Sequence, residues 1–359
     1  MVIPKTMKAV RVHGPDDYRL EVLPVPSISA NEVLVRILAT GICASDVKTW
    51  HGARVWGSAE IAPYIETPVI AGHEFVGEVV ALGPGAAAKY HLEIGDWAVS
   101  EQIVPCWQCR FCLRGQYWMC QKHDIYGFKQ QRAEGSWAEY MRFPANAINH
   151  KVPKDIPASQ AALIEPLACG IHAVERGNIQ LGDVVAIAGM GPIGLCMLQV
   201  ARQKGPGLLI ALDAKPKRLE LARQLGADLA IDVRQGDAIQ RVLDLTDGYG
   251  LDVYIEATGA GPAVNQGLQM VRRLGTFVEF SVHGGPVAID WSIIGDVKEL
   301  NIHGSHLGPY CYPKAIQYLR NGVVNGGALV SHTLPLDSFH EGLEIAALGD
   351  DSIKVVLTP

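Results

Sequence analysis

The sequence predicts an α/β chain of two domains, an all-β, barrel-like region and a doubly wound parallel sheet. Three observations carry this. Up to about residue 155 the chain is a series of short strand signals cut by Gly, Pro and Asn. From about residue 159 strands alternate with helical spacing. After about residue 298 strand-like segments return. The expected boundaries are residues 1–157 for the β region, 158–297 for the parallel sheet and 298–359 for a return to the first domain. A length of 359 residues suits two or three domains with real cores.

In the first region, strands are expected at MKAVRVHG, NEVLVRILATG, VIAGHEFVGEVVALG, GDWAVSE and WAEYMRFPANAINHKVP. SQAALIEPLACGIHAVERG has helical spacing and opens the second region. DVVAIAG is a continuous apolar run suited to a buried parallel strand, PIGLCMLQVARQKG is the helix after it, LLIALD the next strand and KPKRLELARQLGA the next helix. Further strands fall at ADLAIDV, LDVYIEATG and TFVEFSV, with helices at DAIQRVLDL and PAVNQGLQMVRRLG. The tail offers a helix at YPKAIQYLRNG, strands at ALVSHTLPL and IKVVLTP, and a short helix that completes the barrel region.

Composition narrows the function classes. Hydrophobic residues make up 48% and charged residues 19%, and 31 basic against 37 acidic side chains leave a net charge of −6. No Lys/Arg run offers a nucleic-acid or anionic-membrane surface, so neither partner is expected. The N-terminus MVIPKTMKAVRVHG lacks the progression of a signal peptide, and no long uninterrupted apolar stretch occurs, so a cytoplasmic location is expected. In a reducing compartment, clustered cysteines read as metal ligands rather than disulfides.

Gly189, Gly191, Pro192, Ile193 and Gly194 form a G-x-G-x-x-G motif directly after the DVVAIAG strand and at the start of a helix. The first glycine makes the turn, the second lets backbone approach a pyrophosphate, and the third lets helix pack on strand. The helix N-terminus adds positive dipole. Asp213 ends the next strand, where its carboxylate accepts hydrogen bonds from ribose hydroxyls and repels a 2′-phosphate, favouring NAD over NADP. Lys215, Lys217 and Arg218 follow it; they suit a 2′-phosphate, although Arg218 equally suits a place beside the adenosine ribose. The bland alternative, turn glycines and a helix-capping Asp213, leaves the register of strand, motif, helix and acid unexplained.

Cys106-x2-Cys109-x2-Cys112-x7-Cys120 offers four thiolates to one tetrahedral zinc with no open position, which makes that site structural. Cys43, His73 and Glu74 are dispersed, in GICASD and AGHEFVGE. Dispersed ligands suit a catalytic metal that keeps a place for substrate, and Glu165 in LIEPLACG is a candidate additional, exchangeable ligand. Taken singly, each has a bland reading as a core or solvated side chain.

GICASD, GHEFVGEVVALG, the four-cysteine loop, ALIEPLACGIHAVERG and AGMGPIGL, in that order, resemble the zinc-containing medium-chain dehydrogenase/reductase family, polyol dehydrogenase branch. The resemblance spans nearly the whole chain. It implies a GroES-like catalytic domain interrupted in sequence by a Rossmann domain, with the active-site cleft between them, and commonly a homodimer or homotetramer. By the same resemblance, Cys43, His73 and Glu74 hold the catalytic zinc, with Glu165 on the metal or its water. Ser45 begins a proton relay, Asp46 orients His73, and Phe280 and Val282 lie beside the nicotinamide. The implied cofactors are NAD and two zinc ions.

Three departures from the family pattern bear on specificity. Lys48 stands where many relatives carry a relay histidine, and the nearest histidine is His51. The stretch HGARVWGSAEIAPYIETP is longer than in sorbitol dehydrogenases. GSHLGPYCYP places His306 and Leu307 where an aromatic and an arginine often contact substrate. The combination looks like the branch acting on erythritol or threitol. Glu165, His306, Tyr310 and polar groups near Trp50 are candidate partners for unreacting hydroxyls. The expected reaction is hydride transfer from a secondary alcohol of a small polyol to NAD. A threonine-type or simple-alcohol dehydrogenase is the rival on the same fold, and a non-catalytic NAD-binding protein is the rival of another class.

Overall fold

The computed structural model describes residues 2–359. Both expected architectures are present. The chain divides into two units, one comprising Met1–Glu165, Tyr312–Gly322 and Gly326–Pro359, the other Pro166–Cys311 and Val323–Asn325.

In the β unit, the strand Val33–Gly41 is the hub. It pairs antiparallel with Phe75–Leu82, Tyr140–Phe143 and the C-terminal strand Lys354–Thr358. The last of these pairs in parallel with Val330–Pro335, so the chain's tail extends the sheet begun by its first third. Alternation buries Val33, Val35, Ile37 and Ala39 on one side of the hub strand, while Met7, Ala9, Leu34, Ile70 and Tyr140 pack as a second cluster. The hub register decides where the chemistry lies. Thr40 pairs with Phe75, the Gly41 N–H donates to Glu74 O at 2.7 Å, and the Ile42 N–H donates to Val355 O at 2.9 Å. Three chain segments distant in sequence therefore meet at one strand end.

In the second unit, parallel strands run in the order Leu229–Asp232, Leu208–Asp213, Val184–Ala188, Leu251–Glu256, Val271–Glu279, Asn301–Gly304. The order reverses between Val184–Ala188 and Leu251–Glu256, which makes a crevice at the strands' C-terminal ends. Ile210, Leu212, Ile231, Tyr254 and Phe277 form the core, with the Tyr254 and Phe277 rings stacked at 5.2 Å.

Two expectations need correction. The segment PAVNQGLQMVRRLG is helical only as part of Gly261–Met270, and Val271 already begins a strand. Buried Val271 pairs with Leu251, and Leu274, at φ 61, bends the strand before TFVE. The second unit also continues past residue 297 to Cys311, because Asn301–Gly304 adds an edge strand to its sheet. Among the described residues no helix is long and apolar enough to cross a membrane.

Candidate active site

The hub strand's end sets the site. Cys43 caps the helix Ala44–Trp50, and its N–H donates to Asp46 Oδ2 at 2.8 Å, the reciprocal bond of a capping box. His73 and Glu74 immediately precede the neighbouring strand Phe75–Leu82. One ligand atom from each of Cys43, His73 and Glu74 falls within 4.8 Å of the other two. His73 and Glu74 are buried, and Cys43 is partly exposed. A Cβ at residue 41 would collide with the Glu74 carboxylate, so glycine makes room for it.

The surrounding charges are ordered. Asp46 Oδ1 lies 3.8 Å from His73 Nδ1, which is buried without a hydrogen-bond partner. The expected orienting contact is thus ionic in range rather than a hydrogen bond, and the other Asp46 oxygen accepts the capping bond from Cys43. Burial pushes the Asp46 carboxyl up, with His73 pulling the other way. Burial also works against a charged His73, but Asp46, Cys43 and Glu165 outweigh it and hold the imidazole well above its usual value. Glu165 is buried at the start of the helix Ile164–Arg176 and stands outside the three-ligand group, acting on it through charge.

Ser45 is half-buried two residues after Cys43, and Lys48 on the same helix is exposed. His51 ends that helix at the surface, its ring 4.5 Å from Trp50 and its Nδ1 3.8 Å from Asp16. The structure thus brings Asp46 to the cluster and turns His51 outward. Sequence reading missed Lys354. Its ammonium is buried and donates to Glu74 Oε1 and Oε2 at 2.8 and 2.6 Å and to Ile42 O at 3.0 Å. The available signal was a lysine inside the apolar strand KVVL.

The four cysteines also converge. Cys106 and Cys109 sulfurs lie 4.0 and 3.5 Å from that of Cys112. The Cys109 N–H donates to Cys106 Sγ, the Cys106 N–H to Cys120 Sγ and the Gln121 N–H to Cys109 Sγ. Hydrogen bonds from the Cys112 and Gln121 backbone push the Cys109 thiol down to about 6. Burial and the adjoining cysteines push the Cys112 thiol up to about 12, so all four sulfurs can ionise together only around a cation.

In the second unit, Gly189 takes φ 93 and Gly191 caps the helix Pro192–Arg202, which begins with Pro192, Ile193 and Gly194. A Cβ on Gly194 would overlap Gly189 O, so helix and loop approach as closely as the motif requires. Asp213 accepts from the Met190 N–H at 2.6 Å and the Lys215 N–H at 2.7 Å, which ties the acid to the glycine loop. Arg218 reaches across it, Nη1 lying 3.8 Å from where a Gly191 side chain would start. Phe280 and Val282 leave the C-terminal end of the strand Val271–Glu279, on the same sheet edge; Phe280 is half-buried and Val282 exposed. Of the candidate substrate contacts, Leu307 is buried, His306 half-buried and Tyr310 exposed. Glu256, Glu279 and His283 also cluster there, but Glu256 already accepts from the Thr258 N–H and O–H and the Gly259 N–H.

Residues 29–154 match the model of the alcohol dehydrogenase GroES-like domain, and residues 192–321 match that of the zinc-binding dehydrogenase. The chain belongs to the zinc-binding, medium-chain dehydrogenase family. It is 52% identical to an erythritol/L-threitol dehydrogenase of Mycolicibacterium smegmatis, over 99% of each chain. It is 32% identical to a sorbitol dehydrogenase of Bacillus subtilis, over 99% of this chain and 98% of that one. Among solved structures, a short chain alcohol dehydrogenase of E. coli CFT073 complexed with NADH superposes with TM-score 0.88 at 26% identity, over 99% of this chain and 100% of that one. As a member of this family, the dehydrogenase is an oxidoreductase that uses zinc and a nicotinamide dinucleotide.

Proposed function

We propose that the dehydrogenase oxidises a secondary alcohol of a four-carbon polyol, erythritol or L-threitol, to the ketose, with NAD taking the hydride and one proton leaving to solvent. The observation that carries this is the meeting of Cys43, His73 and Glu74 at one strand end, in a chain so similar to a tetritol dehydrogenase.

The donor set fits zinc: one thiol, one imidazole and one carboxylate, with the buried His73 Nδ1 on the Asp46 side and the ring's other nitrogen left to the side of the Cys43 thiol. When bound, zinc supplies a Lewis acid that stabilises negative charge on the alcohol oxygen. The chain's own residues do the rest. Asp46 opposes rotation of His73 through its charge, and Ser45, the second residue of the same helix, takes the hydroxyl proton. From Ser45 the proton passes toward His51 or Lys48 and solvent. Glu165 adds negative charge to the site as an outer or exchangeable ligand. The glycine loop and helix dipole hold the pyrophosphate, Asp213 holds the ribose hydroxyls and disfavours a 2′-phosphate, Arg218 flanks the adenosine, and Phe280 and Val282 border the nicotinamide.

The four-cysteine loop holds a second, structural zinc. No disulfide joins the eight cysteines, which suits a cytoplasmic enzyme. Assembly as a homodimer or homotetramer is supported by the edge strand Asn301–Gly304, whose outer side has no strand partner among the described residues. The test of substrate is NADH formation across tetritols, hexitols, threonine and ethanol. A tetritol is expected to give the highest kcat/KM; a higher value for threonine or ethanol overturns the assignment.

A further inference from the structure

The metal cluster borders a buried cation that no part of the mechanism above uses. Lys354 lies on the C-terminal strand, whose register against the hub strand (Val356 opposite Gly41) delivers its side chain behind Glu74. An ammonium has three donors, and here all three find acceptors: both Glu74 oxygens and the Ile42 carbonyl. Lys354 is 2% exposed and Glu74 1%, so neither charge has solvent as an alternative partner. Glu165 adds further negative charge around the same ammonium.

We propose that Lys354 is a positioning residue for the metal centre, its ammonium and the metal ion competing for the one Glu74 carboxylate so that Glu74 remains a weak, exchangeable ligand. The proposal rests on the reading of Cys43, His73 and Glu74 as a zinc site. A carboxylate partner behind a ligand raises its basicity and tightens the metal. A cation does the reverse, because it withdraws electron density from both oxygens and repels a second positive charge in a medium of low dielectric. A Glu74 held this way keeps its place beside the metal without saturating it, which leaves coordination space for an alcohol. Lys354 thereby gives the C-terminal strand a direct part in the site that the first third of the chain builds.

The sign of the effect separates this role from a merely structural ion pair. The readouts are zinc affinity, by competition with a chromophoric chelator, and thermal unfolding with and without zinc. The relevant binding event is the one that Cys43→Ser removes. Lys354→Met is expected to bind that zinc on the order of tenfold more tightly than the wild type. Its melting temperature should also rise more on zinc addition, because zinc becomes the only counter-charge for Glu74. Lys354→Arg, which keeps the charge, is expected within a few-fold of the wild type. Lys354→Met combined with Glu74→Gln is expected to lose the gain. Unchanged or weaker zinc binding in Lys354→Met overturns the proposal, as does a Lys354→Met chain that stays unfolded in saturating zinc. A wild type with no zinc removed by Cys43→Ser overturns the underlying site reading and the proposal with it.

Discussion

Cys43 is the residue on which the chemistry turns, since it alone of the three candidate ligands is partly exposed while His73 and Glu74 are buried. Replacing it by Ser removes a thiolate without adding bulk. Turnover is expected to fall below detection while NADH binding, followed by fluorescence titration, stays within a few-fold of wild type. Asp213 is the matching residue in the second unit. Asp213→Ala is expected to weaken NADH binding by about 1.5–3 kcal/mol, the worth of hydrogen bonds to a charged acceptor, and to narrow the preference over NADPH. Calorimetric titration of both cofactors checks this. At this scale the sequence was legible wherever a residue type carried its own signal in a local motif: the glycine loop, the acid after it, the cysteine spacing. Lys354 was not, because its partner Glu74 lies 280 residues away and only the sheet register joins them. The outward turn of His51 was equally hidden, since a helix end and a contact with Asp16 decide it.

Among elements, the four-cysteine loop and the glycine turn make opposite demands. The cysteine loop has little regular structure, only the short helices Arg110–Leu113 and Tyr117–Met119, so a metal must supply what a core would. Cys112→Ser is expected to release one zinc per chain and lower the melting temperature by at least about 3 °C, the shift that ~1 kcal/mol produces in a domain of this size. Calorimetry with metal analysis measures both. The glycine turn needs space rather than a ligand. Gly194→Ala drives a methyl into Gly189 O, so NADH affinity is expected to fall at least tenfold while the zinc content stays constant. Most strand positions and most helices followed from periodicity. The early end of the helix Gly261–Met270 did not, because VRRLG keeps helical spacing while the buried pairing of Val271 with Leu251 makes it strand.

For the whole molecule, composition set limits and the fold filled them. A net charge of −6 without a basic run argued against nucleic acid, and the mixture of a mainly antiparallel β unit with a six-stranded parallel sheet follows the change of periodicity near residue 159. The return of the chain to the β unit was also legible, but its position was not, since the edge strand Asn301–Gly304 is short and polar and shows its allegiance only by pairing. Light scattering on the purified enzyme is expected to give a dimer or tetramer mass; a monomer contradicts that part of the account. The central claim is that two distinct donor sets each hold a zinc ion and that the one at Cys43 is catalytic. Zinc counted per chain, beside kcat, tests it most directly. The account predicts two zinc ions in the wild type and one, with no turnover, in Cys43→Ser; one zinc in the wild type, or two in an inactive Cys43→Ser, contradicts it.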